Sequence, residues 1–179
     1  VPMRPPLIAG NWKMNGLLKE ARDLATTLRK ELGNNAGGPE VLVCPPHMAL
    51  AAAGEAFAGS PIRLGAQYVH WGPKGAFTGE VSIAMVQEAG CTAVLLGHSE
   101  RRHIMGETNE MVNRKLKAAL AAGLLPVVCV GELLEERNMG DTRAVVERQF
   151  AKGFDGVSAE DVARTVIAYE PVWAIGTGK

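Results

Sequence analysis

The chain has 179 residues, of which 47% are hydrophobic and 21% are charged, and its 19 basic side chains balance 19 acidic ones. This composition predicts one soluble globular domain over residues 1–179, and the balanced charge argues against binding to nucleic acid or to a membrane surface. Leader and membrane-spanning segments are not expected, because no charged-then-apolar segment opens the chain and no apolar run approaches the roughly 18 residues of a transmembrane helix.

Short apolar runs alternate along the chain with segments of helical periodicity. The runs are near-continuous, which is typical of strands buried on both faces of a parallel sheet. They predict six strands, at Leu7–Ala9, Val41–Cys44, Ile62–Ala66, Ala93–Leu96, Val127–Val130 and Val166–Ala168. Helical patterns lie between several of these runs, at residues 17–32, 112–120 and 145–153, and in a short segment after a capping box at Ser158 and Asp161.

Two details of the predicted helices can be checked against a structure. The first helix has one apolar face, made of Leu17, Ala21, Leu24, Leu28 and Leu32. The second has Thr108 as its candidate N-cap and Gly123 as its candidate C-cap.

Strands that alternate with helices indicate βα units, either in an open doubly wound sheet or in part of a closed barrel. A doubly wound nucleotide binder normally carries G-x-G-x-x-G after its first strand, and the turn at residues 10–16 lacks that spacing. The Gly-rich residues 176–179 lack the spacing of a phosphate-binding P-loop. Polar residues instead cluster where the first, fourth and sixth strands end, and in a βα barrel those ends share the face that carries active sites.

The three polar strand ends supply complementary chemistry. Asn11 and Lys13 lie two positions apart in a segment predicted to be extended, so both side chains are expected to point the same way. His98 follows a buried strand and precedes a predicted helix start, which disfavours an imidazolium. Glu170 follows the last strand as a lone carboxylate. A cationic amine, a neutral imidazole and a carboxylate base suit the abstraction of a proton beside a carbonyl group.

Cysteine usage adds an expectation about the compartment. Cys44, Cys91 and Cys129 are scattered and lack the spacing of metal ligands. They predict buried thiols in a reducing compartment, and therefore a cytoplasmic protein with no metal site.

Three long motifs resemble those of the triosephosphate isomerase family. They read N-W-K-M-N at residues 11–15, L-G-H-S-E-R-R at residues 96–102 and Y-E-P-V-W-A-I-G-T-G-K at residues 169–179, and shorter matches lie at residues 65–67, 75–82 and 129–137. The resemblance runs in order over nearly the whole chain. It implies an α/β fold, the parallel βα barrel of the triosephosphate isomerase type, which normally has eight βα units in about 250 residues. Here the barrel is expected to be incomplete, with six strands and without units 7 and 8.

The resemblance also implies an activity and its residues. The family interconverts dihydroxyacetone phosphate and D-glyceraldehyde 3-phosphate through an enediolate, an aldose–ketose isomerisation of glycolysis and gluconeogenesis that needs no cofactor and no metal. Glu170 is implied to be the base and His98 the neutral electrophile, with Lys13 and Asn11 beside the substrate. Further implied roles are phosphate binding by the backbone N–H of Gly176 and support of the site by Ser99 and Glu100.

Two loops complete what the resemblance implies. One is a lid that closes over the substrate, formed by Pro171, Val172, Trp173, Ala174, Ile175, Gly176, Thr177, Gly178 and Lys179. The other inserts into a partner subunit and implies a homodimer; its tip is formed by Phe77, Thr78, Gly79 and Glu80. Thr78 is implied to reach Asn11 and Lys13 of the partner subunit.

Alternatives to an active isomerase stay open at the level of sequence. Without units 7 and 8 the strands at residues 7–11 and 165–170 would each present an open edge, which invites pairing with another chain. We therefore expect a dimer, a higher homo-oligomer or a rearranged sheet. Fewer phosphate-binding loops also predict reduced activity, because remote binding energy lowers the barrier. The chain could instead be a catalytically silent structural fragment or one piece of a split isomerase.

Overall fold

The computed structural model describes residues 5–33 and 37–176. It divides into two compact units, Val1–Val94 and Leu95–Lys179. Within the described ranges, no helix is both long enough and apolar enough to cross a membrane. The expectation of a single domain stays a prediction.

The first unit is built from parallel strands joined by helices. Its elements are β1 (Leu7–Asn11), α1 (Leu18–Leu32), β2 (Glu40–Cys44), a 3-10 turn (His47–Ala49), α2 (Leu50–Phe57), β3 (Arg63–Ala66), α3 (Ile83–Glu88) and β4 (Cys91–Leu96). Strand β1 pairs with β2 from Leu7 opposite Glu40 to Asn11 opposite Cys44. Strand β2 pairs with β3, and β3 pairs with β4 across a register shift between Leu64 and Gly65.

The core of the first unit lies along the middle strands, as near-continuous apolar runs require. Leu42, Cys44 and Ala66 are fully buried there. Burial raises the pKa of the Cys44 and Cys91 thiols to about 12, so both stay protonated. All three cysteines are buried and free, as the sequence predicted.

Helix α1 forms where its periodicity predicted it, but its buried face is narrower than expected. Ala21 and Ala25 are buried, whereas Leu17 is 77% exposed and Leu24 is 46% exposed. Small alanines let α1 approach its neighbours closely, and the larger leucines stay on the rim of the contact. The predicted apolar face of α1 thus includes the buried Ala21 as well as the exposed Leu17 and Leu24.

The second unit continues the same alternation. Its elements are α4 (Ser99–His103), α5 (Asn109–Ala121), β5 (Leu125–Val130), α6 (Leu134–Asn138), α7 (Thr142–Gly153), α8 (Ala159–Ala163), β6 (Val166–Tyr169) and a 3-10 turn (Val172–Ala174). Strands β5 and β6 are parallel, from Val127 opposite Val166 to Val130 opposite Tyr169. This register carries the ends of both strands to the same level.

Six strands were predicted, and residues 5–33 and 37–176 contain six, in the order β1 to β6, with β1 and β6 at the two ends of that order. Thr108 caps α5 by accepting a hydrogen bond from the Met111 N–H, as predicted. The predicted C-cap moves by one residue, because Ala122 is the cap and Gly123 follows it with φ +76°. The left-handed conformation of Gly123 is the usual way to end a helix.

Candidate active site

The turn after β4 fixes the orientation of His98. Gly97 has φ +68°, a conformation that favours glycine, and His98 then serves as the N-cap of α4. The His98 Nδ1 accepts a hydrogen bond from the Glu100 N–H at 3.2 Å. A ring nitrogen that accepts carries no proton, so this hydrogen bond requires the tautomer with its proton on Nε2. The neutral imidazole expected from the sequence agrees with this geometry.

Two arginines of α4 brace this turn. Arg102 donates to the carbonyl oxygen of Gly97 at 2.6 Å and to that of Cys129 at 3.1 Å. Burial lowers the pKa of the Arg102 guanidinium. Arg101 forms an ion pair with the buried carboxylate of Glu107 at 2.8 Å. Both arginines therefore bond to the backbone and side chains around His98.

Glu170 lies at the end of β6 and points at the same turn. Its backbone N–H donates to the Val130 carbonyl oxygen at 2.8 Å, which continues the pairing of β5 with β6. Its carboxylate Oε1 accepts from the Ser99 N–H at 2.8 Å, and its Oε2 lies 3.2 Å from the His98 Nε2. The Glu170 side chain is 18% exposed. A carboxylate base and a neutral N–H donor thus lie in one partly buried site.

In the first unit, the backbone of Lys13 adopts an unfavourable turn conformation. Lys13 has φ +55°, the left-handed region that costs a non-glycine residue about 1–3 kcal/mol. The Lys13 N–H donates to the Asn11 Oδ1 at 2.9 Å, and the Lys13 carbonyl accepts from the Gln67 Nε2 at 2.8 Å. The prediction of an extended segment is therefore wrong at Lys13, because these two bonds hold the turn.

A buried carboxylate anchors the segment that follows Glu170. Glu132 is fully buried and accepts hydrogen bonds from the Tyr169 hydroxyl at 3.0 Å and from the Trp173 Nε1–H at 3.1 Å. Its backbone carbonyl accepts from the Val172 N–H at 3.1 Å. Burial alone would raise the pKa of the Glu132 carboxyl, but the hydrogen bonds from Trp173, Tyr169 and Arg137 outweigh burial and lower it.

Comparison with known proteins identifies the family. The family model for triosephosphate isomerase matches residues 6–179. The triosephosphate isomerase of Moorella thermoacetica is 54% identical over 177 residues, which are 99% of this chain and 70% of that protein. That of Carboxydothermus hydrogenoformans is 55% identical over the same shares of each chain. The crystal structure of triosephosphate isomerase from Bartonella henselae matches with a TM-score of 0.82 and 39% identity, over 95% of this chain and 69% of that one.

The chain belongs to the triosephosphate isomerase family. Its fold class is therefore the one predicted, a parallel βα barrel of the triosephosphate isomerase type that is incomplete and contains six strands. Enzymes of this family are isomerases, and this chain is about 70% as long as the curated relatives it matches.

Within each unit, the structure brings together the residues that the triosephosphate isomerase motifs single out. The second unit joins Glu170, His98 and Ser99 directly, and Glu100 contacts the His98 ring. The first unit joins Asn11 with Lys13. Their assignment as catalytic or substrate-binding residues stays a prediction.

The predicted lid is described in part. Pro171 to Gly176 form the 3-10 turn and an extended exit, and the exposed Gly176 has φ +70°. Thr177, Gly178 and Lys179 lie outside the described residues. The Arg137 guanidinium lies over the Trp173 ring, 4.5 Å from the ring centre. The Trp173 Nε1–H also donates a hydrogen bond to the Glu132 carboxylate.

The predicted dimer loop is exposed at its tip. Phe77, Thr78, Gly79 and Glu80 are all exposed, and the Glu80 N–H donates to the Phe77 carbonyl at 3.0 Å to close the tip. Beneath it, His70 is buried and its ring lies 4.2 Å from that of Phe77 and 4.3 Å from that of Trp71. The rings of Trp71 and Phe77 therefore enclose the His70 imidazole beneath the tip of the loop.

Sequence reasoning missed three residues that shape the site, Glu132, Gln67 and Gln149. Their side chains form hydrogen bonds to residues 18 or more positions away in the chain, which neither periodicity nor motif spacing reveals. A signal for Glu132 was present, since it is the first carboxylate after an apolar strand, as Glu170 is.

Proposed function

We propose that this chain interconverts dihydroxyacetone phosphate and D-glyceraldehyde 3-phosphate by proton transfer through an enediolate. The observation that carries the proposal is the juxtaposition of the Glu170 carboxylate with the neutral His98 Nε2–H at 3.2 Å. A base and a hydrogen-bond donor at this spacing suit a carbonyl carbon and the carbon beside it.

In the proposed reaction Glu170 removes a proton from one substrate carbon, and the electron pair moves onto the carbonyl oxygen to form the enediolate. His98 donates its Nε2–H bond to the oxygens while they carry this charge. Lys13 adds positive charge, with Asn11 beside it. The hydroxyl proton passes from its oxygen to the former carbonyl oxygen, and return of the abstracted proton from Glu170 to the neighbouring carbon gives the other triose. The hydrogen moves within one molecule, so the reaction is written without cofactor or metal.

Closure of residues 171–179 over the substrate is proposed to exclude water from the enediolate. The backbone N–H of Gly176 would bind the phosphate. Ser99 and Glu100 would support the site, Ser99 through its bond to the Glu170 carboxylate and Glu100 through its bond to the His98 ring. The buried Glu132 anchors the entry of this lid, which supports hinged rather than free motion.

We also propose a homodimer, or a higher homo-oligomer, in the cytoplasm. Large apolar side chains are exposed after the carboxyl ends of strands in both units: Met14 and Met48 in the first, Ile104 and Met105 in the second. Insertion of the exposed loop Phe77–Glu80 into a partner would cover such side chains, with Thr78 reaching Asn11 and Lys13 of the partner subunit. Three buried free thiols support a reducing compartment.

The test is an isomerase assay on the purified 179-residue chain beside Glu170→Gln, both made in one host strain that lacks its own isomerase. Loss of the base is expected to lower kcat/KM by about 10²–10⁴-fold. Glu147→Gln, which removes an exposed carboxylate from α7, is the matched control and should leave activity unchanged.

Equal rates for the parent and Glu170→Gln would contradict the proposal. The exposed leucines of α1 would then favour the second candidate, a structural fragment that acts by assembling with other chains.

A further inference from the structure

Gln149 is a buried polar side chain whose two bonds both go to one residue. It lies on α7 and is 7% exposed. Its Oε1 accepts from the Gly131 N–H at 2.8 Å, and its Nε2 donates to the Gly131 carbonyl at 3.0 Å. A primary amide satisfies both groups of one backbone residue at once, so Gln149 fixes both peptide planes at Gly131.

Gly131 in turn supports the backbone of Glu170. A Cβ atom at residue 131 would lie 1.8 Å from the Glu170 carbonyl oxygen and 2.7 Å from its carbonyl carbon, so the two backbones are in direct contact. The neighbouring Val130 carbonyl accepts the Glu170 N–H at 2.8 Å. Residues 130 and 131 therefore determine where the Cα of Glu170 lies.

We propose that Gln149 is a positioning residue for Glu170. It acts through Gly131, and it keeps the Glu170 carboxylate within hydrogen-bond distance of the Ser99 N–H and of the His98 Nε2. This proposal rests on the proposed function, in which Glu170 is the base. An apolar side chain at residue 149 would leave the buried N–H and C=O of Gly131 unpaired, so the peptide would turn to find other partners.

The consequence for catalysis follows from how sharply proton transfer depends on geometry. A misplacement of about 1 Å can cost about 10²-fold in rate. Substrate binding depends less on the Glu170 carboxylate, because this carboxylate acts in the proton-transfer step. A change at Gln149 should therefore lower kcat and leave KM within about two-fold.

The first experiment compares Gln149→Leu with Asn113→Leu in the 179-residue chain. Asn113 donates to the carbonyls of Gly153 and Asp155 in the same unit at 3.0 and 2.9 Å, so it is a structural hydrogen-bonding residue without contact to Gly131. Gln149→Leu is expected to lower kcat by about 10–100-fold, and Asn113→Leu to leave it within about two-fold. Equal losses in the two variants would overturn the positioning role.

The second variant, Gln149→Glu, gives a readout that a structural role would not produce. A protonated carboxyl can accept from the Gly131 N–H and donate to its carbonyl, as the amide does, whereas a carboxylate can only accept and repels that carbonyl. The ratio of variant to parent kcat should therefore rise as the pH falls. A ratio that does not vary with pH would count against the proposal, and this variant also carries the test if Gln149→Leu fails to fold.

A third readout separates this proposal from the proposed function. The backbone amide signals of Gly131, Glu170 and Ser99 can be followed by ¹⁵N NMR in the parent and in both Gln149 variants, whether or not the chain isomerises triose phosphates. Shifts at all three amides are expected, because Ser99 donates to the Glu170 carboxylate. An unchanged Ser99 signal beside a shifted Gly131 signal would overturn the proposal, and an inactive parent with coupled shifts would overturn the function alone.

Discussion

At the scale of single residues, one methyl group is enough to disturb the interior of the first unit. A Cβ on Gly65 would lie 2.7 Å from the Cys44 Sγ and 3.0 Å from the Leu42 Cδ1, both of which are buried. Strand β3 can approach β2 this closely only because residue 65 has no side chain.

We predict that Gly65→Ala lowers the free energy of unfolding by about 1–3 kcal/mol, the usual cost of overpacking a core. Gly10→Ala is the matched control on β1, where a Cβ has no atom within 4 Å and the backbone is not left-handed. It should change stability by less than about 0.5 kcal/mol. Urea unfolding of the two variants measures the difference, and equal effects would contradict this account of β3.

The sequence identified the chemistry of the site better than its geometry. Glu170 and His98 were selected because each follows an apolar run that predicts a strand, and the structure joins them. The left-handed Lys13 was missed, because its conformation depends on the Gln67 side chain from another strand end. Gln149 was visible only as part of a weak helical pattern, and its bond to Gly131 depends on how α7 packs on β5.

At the scale of elements, the 3-10 turn after β6 is held by one buried charge. Trp173 donates to the Glu132 carboxylate, and a hydrogen bond to a charged group contributes about 1.5–3 kcal/mol. The short helices α3, α4, α6 and α8 were not resolved by periodicity as full elements, because five or six residues span less than two helical turns.

We predict that Trp173→Phe lowers the free energy of unfolding by about 1.5–3 kcal/mol, since phenylalanine keeps a ring under Arg137 but loses the N–H donor. A double-mutant cycle with Glu132→Gln isolates the contact. The coupling free energy between the two positions should exceed about 1 kcal/mol, and strict additivity would show that the hydrogen bond is not made in solution.

The Glu132 carboxylate should also make the free energy of unfolding depend on pH. The folded protein lowers the pKa of Glu132 below its ordinary value of 4.5, so the ionised form favours folding. Its contribution is present above pH 4.5, and it is lost as the pH falls through the lower folded value.

Glu132→Gln should therefore lose less stability than the parent on acidification below pH 4.5. Chemical unfolding of both proteins at a series of pH values tests this. A larger acid-induced loss in the variant would contradict the prediction.

At the scale of the whole molecule, exposed apolar side chains predict association. Ile8 on β1 and Ile167 on β6 are exposed, and these strands stand at the ends of the strand order. Unpaired strand edges with apolar side chains favour pairing with another chain. The sequence predicted these two edges, because it predicted six strands, but only the structure identifies the exposed side chains.

We predict that the 19.0 kDa chain forms a dimer or higher oligomer at micromolar concentration, measured by light scattering. Met105→Lys should shift the population towards smaller species, because it places a charge among the apolar side chains that follow α4. Met139→Lys is a matched control, since Met139 is 68% exposed and Met105 is 64% exposed. A monodisperse monomer for the parent would contradict the prediction.

The burial of every cysteine has a practical consequence for following this protein in solution. Cys44 and Cys91 have thiol pKa values of about 12, and Cys129 is also buried, so thiol reagents should react slowly with the folded chain. A cysteine introduced in place of an exposed residue such as Met139 would then accept a fluorophore selectively. The natural cysteines should therefore add little background to site-directed labelling, and none of them has to be removed first.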